Sequence, residues 1–168
     1  MTSNATAIHA DKAPSLSDIH IVREYPHPRA RVWRALTDPD LIRRWLMRPE
    51  GFAPVVGNRF KLIAKPMRGW RGFVECEVLE AEENERLRYS WVGNDDQAPM
   101  EVSFHLEDTP SGTRLTFLHT GFTGFGGFLL AKLMLGPGWG KMFRHLMPRV
   151  LDNMNADGSL RSDVPYKY

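Results

Sequence analysis

Two ring side chains stand where the hydrophobic pattern of this sequence turns inward, and both have the means to act on a bound molecule. In TRLTFLHTG, Leu115, Phe117 and His119 share one parity of a period-2 run, so an imidazole ends an otherwise apolar series close to Gly121. At the rim of a hollow it would serve as a hydrogen-bond donor or a pH-sensitive group. In ERLRYSWVG the inward parity holds Leu87, Tyr89 and Trp91, and the two rings each carry one polar atom on a large apolar body. Such a set can orient a mostly apolar molecule. A lone His119 working with Tyr89 can also polarise a carbonyl and take a proton, as a cyclase or dehydratase requires. The plainer reading of each ring is core filling, and of His119 a structural hydrogen bond.

Other chemistries are poorly provided for. No inward pair of carboxylates is predicted, and neither a nucleophile elbow nor a Ser, His and Asp set in recognisable context is present, so hydrolase and glycosidase readings fail and no catalytic residue is assigned. Cys76 is the only cysteine and lies between Glu75 and Glu77, whose charge raises a thiol pKa, so it reads as an inert buried thiol. It can form no internal disulfide. With no Cys/His cluster at zinc spacing, neither a metal nor a cofactor is expected.

The chain has 168 residues, net charge +2, 42% hydrophobic and 25% charged residues, which suits one globular domain with a sizeable core. The charge is segregated: residues 23–71 carry a net +8 and residues 72–110 a net −9. Either the two segments are neighbours that balance each other, or they form a basic face for an acidic partner. Nucleic acid is excluded as a partner, since the arginines are not interleaved with exposed-looking aromatics and no binding motif occurs. Residues 1–17 lack a basic start followed by an apolar run and read as a flexible lead, which makes a cytoplasmic location the expectation. The stretch Phe122 to Gly138 is too short, too glycine-rich and interrupted by Lys132, so no membrane span is expected.

The elements that must position these residues follow from periodicity. Asp18 to Pro26 reads as a half-buried strand. PRARVWRALT and DPDLIRRWLM read as two short helices, the second capped by Thr37 or Asp38 and stopped by Pro49. Alternating runs from Asn58 to Gly121, joined by short turn-rich separators, make an antiparallel meander and exclude a parallel Rossmann architecture. GPGWGKMFRHLMPRVLDNMN has apolar residues at helical spacing from Trp139 to Met154, and Pro148 predicts a kink through the clash of its ring with the Arg144 carbonyl. The result is an α+β fold, a curved antiparallel sheet wrapped on one long helix, with an apolar cavity between them.

The fragments HPRARVWRALTDPDLIRRWL, VGNRFKL, GWRGFVECEVLEAEENERLRYSW, GTRLTFLHTGF and GWGKMFRHLMPRVLDNM, in this order, resemble the Bet v1-like, START-related superfamily, and within it the family named for the activator of Hsp90 ATPase. The resemblance covers Ile19 to Met154 and implies a helix-grip fold with a ligand cavity under the last helix. A single domain over residues 18–155 and a tail over 156–168 are expected, with residues 122–137 as a lid. The stretch Phe122 to Leu135 is equally open to two other readings, a short buried helix or a homodimer patch. Candidate cavity residues are Trp45, Phe60, Leu62, Cys76, Tyr89, Trp91, Phe104, Phe117, His119, Trp139 and Phe143. Three functions are compatible: binding of a lipid or an aromatic, polyketide-like molecule; stimulation of a chaperone ATPase; and a cyclase or dehydratase activity. The second is weakened because the eukaryotic co-chaperone of the family uses a further N-terminal domain for which 168 residues leave no room.

Overall fold

Side chains that alternate between apolar and polar produce strands with one buried face, and six of the seven strands among the described residues follow that rule. The computed structural model describes residues 15–161. The expected lead, 1–17, and tail, 156–168, therefore lie outside the described residues except for 15–17 and 156–161. Strand β1 (Ile19–Tyr25) is followed by helices α1 (Arg29–Thr37) and α2 (Pro39–Trp45). Asp38 caps α2, its carboxylate accepting the Asp40 N–H at 2.9 Å, and Pro39 occupies the first helical position, where no N–H is needed. Strands β2 (Arg48–Glu50), β3 (Arg59–Ile63), β4 (Phe73–Glu82), β5 (Arg86–Trp91), β6 (Met100–Thr109) and β7 (Gly112–Thr120) complete the sheet.

Sheet order is β1-β7-β6-β5-β4-β3-β2 with every neighbouring pair antiparallel. A register shift between Val78 and Glu80 places a bulge in β4, which sharpens the local bend and twist. β2 is an addition to the expected fold. Pro49, read from sequence as a helix stop, lies inside this three-residue edge strand opposite Leu62, where a missing N–H is tolerated.

The outer face explains the charge segregation. Arg29 reaches Asp108 and Glu85, Arg59 reaches Glu77, and Lys61 and Arg71 both reach Glu75, so the cationic and anionic segments are neighbours that pair at these positions. Solvent-exposed pairs of this kind each contribute little to stability, and their main effect is to cancel the local field.

Residues 124–152 form one helix, α3. It alternates α-helical turns (Gly124–Leu129, Gly136–Lys141, Met147–Asp152) with π-helical ones (Leu130–Leu135, Met142–Leu146). Two expectations are refined. The helix starts at Gly124, so the stretch is the front of the long helix and not a separate short buried helix. Its glycines lower helix propensity, and its apolar residues, at 125, 128–131 and 133–135, stand on every side of the helix, so no single core-facing stripe marked it. Pro148 is also accommodated differently: the π turn loosens the winding ahead of it. The Met147 N–H bonds the Met142 carbonyl, and the next acceptor in that register, the Phe143 carbonyl, meets a proline with no N–H. The Tyr25 hydroxyl donates to it instead, at 2.7 Å. Gly136 serves the first π turn, because any Cβ there would lie 2.7 Å from the Ala131 carbonyl.

Helix α1 closes the far end of α3. Arg31 Nη1 donates to the carbonyls of Leu151 and Met154 at 3.0 and 2.9 Å, satisfying helix-end acceptors. Beyond it the chain turns back, with Met154 bridged to Leu160 and the Arg161 N–H bonded to the Asn153 carbonyl.

Removing the Tyr25 hydroxyl strands the Phe143 carbonyl in a buried site. Tyr25→Phe should lower unfolding free energy by about 1–3 kcal/mol in urea titrations. An unchanged midpoint would show that solvent or helix rearrangement satisfies that carbonyl.

Candidate functional site at the sheet and helix interface

The inward parity of the strands brings the eleven candidate residues into one cluster. β3 supplies Phe60 and Leu62, β4 Cys76, β5 Tyr89 and Trp91, β6 Phe104, and β7 Phe117 and His119; α2 adds Trp45, and α3 adds Trp139 and Phe143. None is more than 5% exposed. Where a hollow is expected beneath the helix, the rings interlock. Trp139 lies 4.4 Å from Phe117, centroid to centroid, 5.5 Å from Trp91 and nearly parallel to Phe143 at 5.7 Å. Tyr89 joins Phe60 to Phe104 at 5.2 and 5.8 Å. Edge and tilted contacts at these spacings stabilise beyond area burial alone.

His119 is at the centre of this packing and not at a rim; it is completely buried. The Trp139 indole N–H donates to its Nδ1 at 3.1 Å. An indole nitrogen only donates, so Nδ1 is the acceptor and the neutral ring carries its proton on Nε2. That Nε2–H is buried and has no partner. Around it stand the rings of Trp91 at 5.3 Å and Phe122 at 4.8 Å. Burial holds the imidazole down at about 3, far below its ordinary value, because the charged form would be desolvated without a counter-ion. The ring is thus a neutral donor across the physiological range.

The neighbouring titratable groups are equally quiet. Burial pushes the Tyr89 phenol well above its usual range, with the nearby Cys76 adding to the rise. The Cys76 thiol is raised by burial and then by Glu75, which keeps it protonated. Among the described residues no group of three His, Cys, Asp or Glu side chains is placed to hold a metal ion.

A surface hollow lies next to Phe122, whose ring contacts His119. This hollow, of about 200 Å³, is bounded by Gln97, Ala98 and Met100 on one side and by Gly121, Phe122, Thr123, Gly126, Gly127 and Leu130 on the other. Phe122 belongs to both compartments, lining the hollow and covering His119. Gly121 makes this possible: its φ of +94° suits glycine, and a Cβ would come within 3.0 Å of the Met100 Cα. The sequence placed Phe122 in a lid but not in the site, although a Gly-Phe pair one residue beyond an inward histidine was the available signal. A second hollow, of about 230 Å³, lies beside the second π turn between Tyr25, His27, Phe143, Arg144, Pro148 and Asp152.

Among known proteins, the family described as activator of Hsp90 ATPase homolog 1-like protein matches residues 26–150. The solved structure of protein MLL2253 from Mesorhizobium loti is 33% identical, with a TM-score of 0.69 over 82% of this chain and 98% of that one. CalU16 from Micromonospora echinospora is 27% identical, with a TM-score of 0.61 over 78% of this chain and 71% of that one. DynU16, a protein of the dynemicin biosynthetic locus, shares the fold at 24% identity and a TM-score of 0.65, over 83% of this chain and 48% of its own. No curated protein matches the sequence.

The buried imidazole links stability to pH. In the unfolded chain it takes up a proton at its ordinary 6.5 and in the fold only at about 3, so the unfolded state binds more protons between these values. Its contribution is full above the unfolded value and is lost as acidity increases toward the folded one. Between neutrality and about pH 4.5 the loss should be about 2–3 kcal/mol. Urea titrations at the two pH values should show a smaller fall for His119→Phe than for the parent; equal falls would contradict the assignment.

Proposed function

The chain belongs to the family described as activator of Hsp90 ATPase homolog 1-like protein, and from that footing we propose that it binds a small, largely hydrophobic molecule between the sheet and α3. The observation that carries this reading is the unpartnered Nε2–H of His119. A donor left without an acceptor in an apolar interior is unfavourable, and a guest that brings a carbonyl, ether or hydroxyl oxygen to it relieves that cost. Trp91, Phe117 and Trp139 offer ring faces and edges to the rest of such a guest, with Tyr89 farther along the same sheet face.

Entry in this reading is by way of Phe122. The outer hollow, at about 200 Å³, is smaller than a usual ligand pocket. The Phe122 ring and the front of α3 must therefore swing outward for a guest to reach His119. That part of the helix suits such a movement, since Ala131 is its one buried residue before Gly136.

The two other readings receive less support. A cyclase or dehydratase needs a base near neutrality, whereas burial keeps His119 a neutral donor. A chaperone-stimulating role would be favoured by a free charged face, and Arg29, Arg59, Lys61 and Arg71 of residues 23–71 are paired with carboxylates of residues 72–110.

Native mass spectrometry and a fluorescence screen of lipids and aromatic ketones against the purified protein test the proposal. A ketone ligand should bind about five- to tenfold more weakly to His119→Phe, while its deoxygenated analogue is unaffected. Phe122→Ala should speed association of both. Failure of the parent and of Phe122→Ala to bind any member of the panel would overturn the reading.

A further inference from the structure

The front half of α3 carries an apolar face that nothing in the chain covers. Phe125 is 77% exposed, Leu133 70% and Met134 59%, and Phe128 and Leu129 are each more than a third exposed. Residues 125, 129 and 133 recur at four-residue spacing through the first α turn and into the π turn, which keeps them on the side opposite the buried Ala131. Together the five side chains present roughly 500 Å² of apolar surface, near the upper end for a monomer's largest patch.

The surrounding charge identifies the occupant. From Gly112 to Leu151 the sequence contains no Asp or Glu, whereas α3 carries Lys132, Lys141, Arg144 and Arg149. Lys132 is exposed within the apolar face itself. A second copy seating the same face would bring Lys132 toward Lys132, with no carboxylate between Gly112 and Leu151 to offset them. A surface that is apolar in its depth and negative at its rim meets both features at once.

We propose that the front half of α3 docks on an anionic lipid membrane, lying in the plane of the headgroups with Phe125, Leu129 and Leu133 directed into the acyl boundary and Lys132 at the phosphates. The helix lies on the bilayer and does not cross it; among the described residues no helix is long and apolar enough to cross a membrane. This inference stands apart from the ligand reading, because the face exists whatever the interior holds. The two would nevertheless cooperate, since Gly126, Gly127 and Leu130 of the same helix half border the hollow beside Phe122.

Flotation of the full chain with vesicles tests it. Binding is expected to phosphatidylcholine vesicles containing about a third phosphatidylglycerol, weaker to phosphatidylcholine alone, and reduced in about half-molar sodium chloride. Lys132→Gln should weaken partition about fivefold. The double variant Phe125→Ser with Leu133→Ser should weaken it on the order of a hundredfold, while retaining the parent's circular dichroism because both positions are exposed. Sedimentation of the free protein as a dimer that both serines dissociate, without flotation of the parent, would overturn the proposal in favour of a second copy. Flotation equal on neutral and anionic vesicles would overturn its electrostatic half. Parent protein that stays monomeric and does not float on either vesicle would overturn it entirely.

Discussion

A curved sheet with one apolar face and a single long helix with one apolar stripe have nowhere to bury those surfaces except against each other, and the rest of this molecule follows from that contact. Rings fill it because they bury much area per side chain and tolerate the uneven gap that a bent sheet leaves over a straight rod. The polar atoms caught inside then need partners. The Trp139 indole finds one in His119, and the freed Phe143 carbonyl finds one in Tyr25, so two hydrogen bonds tie the helix to opposite edges of the β1-β7 pair. His119 Nε2 finds none. Among the described residues whose side chains leave a buried nitrogen or oxygen without a hydrogen bond, His119 is the fully buried one, and its open donor is the feature most in need of a functional account.

Much of the fold was legible in the sequence, because both periodicities are strong. The inward parity of β3 to β7 assigned Phe60, Leu62, Cys76, Tyr89, Trp91, Phe104, Phe117 and His119 to one face, and they share it. The helix pair after β1 carries its own signals in Asp38 and Pro39. The segregation of charge was resolved by strand pairing, which sets Arg59 against Glu77 and Lys61 against Glu75.

What was not legible depended on tertiary context. Alternation tells which way His119 points but not how completely it will be covered, and it is Phe122, delivered by the left-handed turn at Gly121, that closes over it. Helical spacing locates a stripe only where there is something to pack against. Residues 124–135 bury only Ala131, so their glycines suggested a break where the backbone runs on as helix. Pro148 predicted a distortion in the right neighbourhood but not its form, because a π turn needs a donor from elsewhere, and Tyr25 lies more than a hundred residues away in sequence.

A sheet whose border strands have one unpaired side risks pairing with that of a neighbour. At the β2 border the chain guards against this with Pro49, set among the exposed Arg48 and Glu50 in a strand of only three residues. An incoming strand would find there a gap in the ladder of amide donors and a charged fringe on either side of it, so lateral polymerisation has little to start from. The pyrrolidine ring that looked like the end of a helix is better understood as a hem that stops the fabric from unravelling into fibrils.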